Sequence, residues 1–197
     1  MLFSLGELFD IAVMTFVVGF IFKDLFRRRP RVEVLMPGYD PLKRQSGFSW
    51  GDFWFAAAVV APSIILHEFG HKFTALAFGL SATFHASYTG LGIGVLLKLL
   101  WPSFVFFIPA YVSISGAGPQ IAYALSALAG PAVNLLLWLI PAQLLRSRKI
   151  VRKMKGDLFH IVFLTSRINM FLFIFNILPI PGFDGWSVFS YLLGSLF

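Results

Sequence analysis

The chain has 197 residues, of which 58% are apolar, 17% aromatic and only 13% charged, and its mean hydropathy is +0.81. Soluble domains run about 45–50% apolar and about 25% charged, so a water-soluble domain is disfavoured, and 24 Phe exclude a disordered chain. The formal net charge of +7 is unevenly spread: seven of the 16 basic residues fall between Lys23 and Arg44 and six between Arg146 and Lys155. Basic clusters flanking apolar runs mark loops beside membrane spans, and the lipid bilayer is the expected partner. No nucleic-acid partner is expected, because a basic face on a polar body is absent. Cysteine is absent, which removes disulfides, a thiolate nucleophile and any Cys-based metal site.

The first apolar run, Leu8–Phe22, follows Glu7 and precedes a basic cluster. That order is the reverse of a cleavable signal peptide, so a retained span over residues 1–30 is expected. Extension to Phe26 gives a length able to cross about 30 Å of hydrocarbon. Residues 31–51 read as a small hairpin or loop on the basic side. A second helix is expected from Asp52, as N-cap, to about Leu80, kinked at Pro62. Ser81–Leu97 carries β-formers and Gly90, Gly92 and Gly94, which predicts a hairpin or irregular strand pair beside the helices. Leu96–Ser113 contains Pro102 and Pro109. If both basic clusters share one face, the chain crosses an even number of times between them, so this double-proline segment is assigned as re-entrant. Ile121–Leu145 is the clearest span. A further segment runs from Asp157 or Leu158 to about Leu178 and carries Arg167 and Asn169, and Trp186–Phe197 is too short to cross alone.

His67-Glu68-Phe69-Gly70-His71 forms the pattern H-E-x-x-H inside the second apolar helix. Residues four apart lie on one helix face, so both imidazoles can reach one metal ion, with Glu68 placed to hold a water. Ionisable groups at that depth are costly unless something satisfies them. A metal does so; an interhelical hydrogen-bond cluster or an ion pathway is the alternative. Catalytic zinc takes three protein ligands and an open position. The candidates for the third are His85, Asp157, His160 and Asp184. His85 suits a surface or interface role, Asp157 caps a helix, and His160 follows one turn later. Asp184 sits between Gly182 and Gly185 after Pro179 and Pro181, where an unwound chain can turn a carboxylate inward; it is the choice.

His67–His71, the segment Ala129–Asn134 (A-G-P-A-V-N) and the segment Asn176–Gly185 (N-I-L-P-I-P-G-F-D-G) together resemble the site-2 protease family of intramembrane metalloproteases. The likeness spans residues 67 to 185; Phe183 stands where the family often has leucine. The resemblance implies one zinc ion per chain held by His67, His71 and Asp184, with Glu68 as general base and acid. It also implies Asn134 near the active site, positioning substrate or the oxyanion, and Asn176 bracing the loop or holding substrate. No stretch is long enough for a PDZ or nucleotide-sensing domain, so regulation of that kind would come from a separate protein.

The expected architecture is an all-α polytopic membrane protein: five or six transmembrane or re-entrant helices, with a small β-hairpin element next to the active site. Residues 52–185 form the catalytic core of a single domain and residues 186–197 a short C-terminal helix. The expected activity is zinc-dependent cleavage of peptide bonds within or near the transmembrane helices of single-span membrane proteins. An extended substrate is expected to add as a strand along residues 81–94, touching Ser81, Thr83, His85 and Ser87. A catalytically silent scaffold for partner helices and a metal or ion carrier are the competing readings. The short length favours a multi-pass protein of a prokaryotic cell membrane.

Overall fold

The computed structural model describes residues 2–26, 48–101 and 108–194. The loop expected over 31–51 lies outside these except for its last four residues.

Helix α1 (Leu5–Phe22) opens with a reciprocal cap: Glu7 N–H donates to Ser4 Oγ at 3.2 Å and Ser4 N–H donates to Glu7 Oε2 at 2.8 Å. Helix α2 (Trp50–Ala77) is capped by Ser49, whose Oγ accepts from Asp52 N–H at 3.2 Å. Asp52 therefore sits in the first turn and is not itself the cap. The helix runs without interruption through Pro62. The two helices are antiparallel, since Gly19 packs on Ala57 at one end and Glu7 pairs with Lys72 at the other. A methyl group at Gly19 would lie 3.0 Å from the Ala57 methyl, so glycine lets the helices approach closely there.

Between α2 and the next long helix come strand β1 (Ser81–Ala86), helix α3 (Tyr88–Leu100) and strand β2 (Ala110–Ser115). β1 and β2 pair antiparallel, with Ser81 opposite Ser115 and Ala86 opposite Ala110. This corrects the hairpin expected over 81–97. Only residues 81–86 are extended, and their partner follows a helix. Ser87 starts that helix by accepting from Gly90 N–H at 3.2 Å. Gly90 is there for close approach rather than for a turn, because a Cβ would overlap the Ile108 carbonyl.

α3 descends along α1. At its start the Tyr88 hydroxyl donates to Asp10 Oδ1 at 2.5 Å. At its end Lys98 donates to the carbonyls of Phe20 and Ile21, both at 2.6 Å, and pairs with Asp24 at 3.0 Å. The ammonium thus caps the carbonyl end of α1, where a cation is favoured. By Ala110 the chain is back level with Ala86. The Leu96–Ser113 segment is therefore not a span: it ends α3, and after the undescribed residues 102–107 it forms most of β2.

Helices α4 (Gln120–Arg146), α5 (Arg148–Val151), α6 (Leu158–Asn176) and α7 (Asp184–Gly194) complete the chain. α4 is antiparallel to α2, with Gly70 against the Ala129 carbonyl and His71 against the Ser126 carbonyl. α6 runs parallel to α2: Asn169 Nδ2 donates to Ser63 Oγ at 2.8 Å, and Ser166 Oγ donates to the Trp138 carbonyl at 3.1 Å. Four helices, α1, α2, α4 and α6, are long and apolar enough to cross a membrane. Between the two basic clusters only α2 and α4 are, among the described residues, so the ends that carry both clusters lie on one side.

The sheet is fixed to the bundle through its β1 edge. Phe84 N–H donates to Glu7 Oε1 at 2.8 Å and Ala86 N–H to Asp10 Oδ2 at 3.1 Å. Glu7 is also ion-paired to Lys72, both side chains being buried. Removing one member of a buried pair strands the other charge, at a cost of about 3–5 kcal/mol. Lys72→Met is therefore expected to lower the thermal midpoint of the detergent-solubilised protein by about 10 °C, and the double variant with Glu7→Gln to recover most of the loss. Equal midpoints for wild type and Lys72→Met would refute the pairing.

Candidate active site

α2 places His67 and His71 one turn apart on the face that meets α4. His67 Nε2 and His71 Nε2 lie 3.0 Å apart. Asp184, the first residue of α7, reaches them with Oδ2 3.1 Å from His67 Nε2 and Oδ1 3.4 Å from His71 Nε2. The three residues form the only group of three or more potential His or carboxylate metal ligands among the described residues, their ligand atoms all within 4.8 Å of one another. The break after α6 turns the carboxylate inward. Gly182 takes φ +96°, a left-handed conformation that favours glycine. Gly185 is in close contact with the carbonyls of Ile177 and Leu178, which a Cβ would overlap.

The donor set fits zinc. His71 Nδ1 lies 2.8 Å from the Ser126 carbonyl, which only an N–H can satisfy. The proton is thus held on Nδ1 and the lone pair of Nε2 faces the other ligands, the usual outer-shell arrangement of a metal-bound histidine. Asp184 Oδ2 is buried and, beyond His67 Nε2, has no hydrogen-bond partner among the described residues. Two imidazole nitrogens and a carboxylate at these separations match a three-ligand zinc site with one position left open.

Room for the rings comes from α4. A Cβ on Gly130 would overlap His71 Nε2 and His67 Cε1. Ala122, Ser126, Gly130 and Asn134 recur every four residues, all buried, and present a stripe of small residues to α2. Asn134 is fully buried one turn beyond Gly130, with neither side-chain polar atom hydrogen-bonded among the described residues.

Glu68 opens on a cavity of about 900 Å³ that it shares with His67, His71 and Asp184. His71 lies six residues, about 9 Å, from the α2 C-terminus. The remaining walls come from the C-terminal end of α1 (Phe22) and the turn after it (Phe26), from β2 and from α6, including Arg167 and Asn176.

The four residues expected to receive a substrate strand are placed elsewhere. Ser81, Thr83 and His85 point away from the buried Ala82, Phe84 and Ala86. His85 Nε2 is 3.1 Å from Ser113 Oγ, and Ser87 caps α3. None of the four lines the cavity. β1 has also lost its outer edge, since the N–H groups of Phe84 and Ala86 are taken by Glu7 and Asp10. In an antiparallel pair alternate residues face the partner strand. With Phe84 and Ala86 turned outward, and Ser87 N–H bonded to the Pro109 carbonyl at 3.0 Å, the outward groups of β2 are those of Ala110, Val112 and Ile114. These three residues line the cavity. Sequence reading missed this edge because its partner is 24 or more residues away; it missed Ser126 too, and it held Gly130 only as part of the Ala129–Asn134 segment, with no role toward the histidines. Asp157 and His160 lie at the N-terminal end of α6, at the end of the bundle that carries the basic clusters.

Comparison with known proteins gives one informative relative. A protein of Methanocaldococcus jannaschii named "Putative zinc metalloprotease" is 28% identical over 195 residues, covering 96% of this chain and 86% of its own length. No family model matches the chain, and no solved structure matches it.

Proposed function

We propose that the chain is a zinc-dependent intramembrane endopeptidase of the site-2 protease type, hydrolysing peptide bonds within or near the transmembrane helices of single-span membrane proteins. The observation that carries this reading is the convergence of His67, His71 and Asp184 beside Glu68 on one cavity between membrane-length helices. The archaeal relative, named a zinc metalloprotease, supports the zinc and the hydrolysis. A multi-pass protein of a prokaryotic cell membrane is the setting these features suit.

His67, His71 and Asp184 would hold one zinc ion, which as a Lewis acid activates water and polarises a peptide carbonyl. Glu68 accepts the proton of the attacking water and delivers it to the leaving amine, the role of a positioned general base and acid. Asn176, on the cavity wall, is placed to donate to a substrate carbonyl. Asn134 is buried one turn from Gly130 and does not line the cavity, so its amide would act on the reaction only through the ligands or a group that enters beside them.

A helical peptide bond has its carbonyl already hydrogen-bonded, so the substrate must unwind before attack. The outward edge of β2, paired with no strand among the described residues, offers the unwound strand replacement hydrogen bonds at Ala110, Val112 and Ile114. Proline is tolerated on a strand whose N–H faces away from its partner. Val112→Pro is accordingly expected to leave β1–β2 pairing and zinc content intact and to raise KM about tenfold or more for a single-span substrate; an unchanged KM would remove β2 from substrate binding. The proposal as a whole is tested by mapping products from a single-span substrate incubated with purified, zinc-loaded protein. A cut inside the hydrophobic segment that disappears on chelation is expected. Metal flux through vesicles without any cut would favour a carrier, and client binding without a cut a scaffold.

A further inference from the structure

Arg167 is the tenth of the 19 residues of α6, about 13 Å from either end of the helix at 1.5 Å per residue. That is further than an arginine side chain can snorkel to an interface. Charges at such depth face a cavity or a partner. Arg167 is exposed within the protein and borders the cavity, on the same wall as Ile168, Phe171 and Phe175. Its guanidinium lies 5.3 Å from the centre of the Phe163 ring, and among the described residues it is ion-paired to no carboxylate. Asn169 is level with Ser63, which puts Arg167 about level with Ala61 and about 9 Å along the bundle from His67, toward the end bearing the basic clusters.

We propose that Arg167 is a specificity-determining residue that binds a carboxylate carried by the substrate, an Asp or Glu side chain displaced from the scissile bond toward the basic end of the bundle. It rests on the protease reading above and names the substrate class for that site. A substrate segment that crosses the metal site and continues along the α6 wall while still helical brings a residue about six positions from the scissile bond opposite Arg167. The planar guanidinium, fixed at one face by Phe163, keeps its fork of donors for a carboxylate. Each charge would be costly alone in the hydrocarbon, so the pair favours the acidic substrate over its neutral isostere and raises the cost of a basic one. A lipid phosphate carries a similar charge, but the depth of Arg167 argues against it.

The test uses full-length, zinc-loaded protein in detergent and single-span peptides identical except at one position, scanned four to eight residues on each side of the cut with Glu, Gln or Lys. Wild type is expected to show kcat/KM about tenfold higher for Glu than for Gln at one position, carried by KM. Arg167→Lys is expected to keep part of that preference, Arg167→Gln to abolish it and Arg167→Glu to transfer it to the Lys peptide. Equal rates for Glu and Gln at every position, or a preference that survives in Arg167→Gln, would overturn the proposal. Binding of the same peptides to zinc-loaded Glu68→Gln protein, read by fluorescence anisotropy, separates the two readings. If nothing is cut, a Glu preference in binding that depends on Arg167 would uphold the subsite while the protease reading falls; no such preference removes the subsite. Addition of vesicles containing anionic lipid that erases the preference would assign the arginine to lipid phosphate instead.

Discussion

Glu68→Gln is expected to lower turnover of a single-span substrate by about a thousandfold, within the 10²–10⁴ range for loss of a positioned proton acceptor, and to leave the zinc content unchanged. The amide is close in size to the carboxylate and contributes no ligand to the His67, His71 and Asp184 set, so metal content is not expected to change. What it loses is the ability to take a proton from water. Among the described residues the Glu68 carboxylate takes part in no hydrogen bond or ion pair, so no fixed partner blocks it from that use or depends on its charge. Zinc analysis beside product mapping checks both halves. A variant that retains zinc and cuts at the wild-type rate would remove Glu68 from catalysis, and a variant that loses zinc would make it a ligand.

Gly130→Ala is expected to weaken zinc binding by about a hundredfold or more, at the upper end of what changes around a metal site usually cost. The added methyl falls on His71 Nε2, the atom that faces the other ligands, and close to His67 Cε1. Neither ring can retreat cheaply, since His71 is held through Nδ1 by the Ser126 carbonyl. Alanine is the better helix former by about 1 kcal/mol, so α4 itself is not weakened. Gly70→Ala provides the contrast, because its methyl would meet the Ala129 backbone carbonyl at 2.8 Å and separate the helices. Circular dichroism and zinc titration of the two variants distinguish them: Gly130→Ala keeps its fold and loses metal, and Gly70→Ala loses thermal stability first. Wild-type zinc affinity in Gly130→Ala would show that the rings are not confined as described.

The long apolar runs were readable because a span needs only length and composition, and α4 and α6 begin within a residue of where hydropathy puts them. The motif residues were readable for a different reason: His67, Glu68 and His71 occupy fixed positions on one helix, and Asp184 sits in a run of prolines and glycines that has to unwind. Tertiary pairing was not readable. The glycines of α3 resemble turn signals locally, yet Gly90 is there to let the Ile108 carbonyl pass. β2 is recognised as a strand only by its partner across α3. Glu7 and Asp10 look like charges preceding a span, and their role as acceptors for the β1 edge depends on a strand about 75 residues further on. Ser49 displaced Asp52 as cap because both are good capping residues and three positions separate them.

The open edge of β2 has a consequence for the second reactant of hydrolysis. Backbone N–H and C=O groups at Ala110, Val112 and Ile114 cannot be left against lipid chains, where each unsatisfied group costs several kcal/mol. With no guest strand in place they must be wet. If β2 receives the peptide as proposed, the same edge would also draw water into the cavity it shares with Glu68 and the metal ligands, at a depth where the bilayer would exclude it. On that reading an arriving substrate would displace water along the edge and not at the metal, and the second reactant of hydrolysis would be in place before the peptide enters.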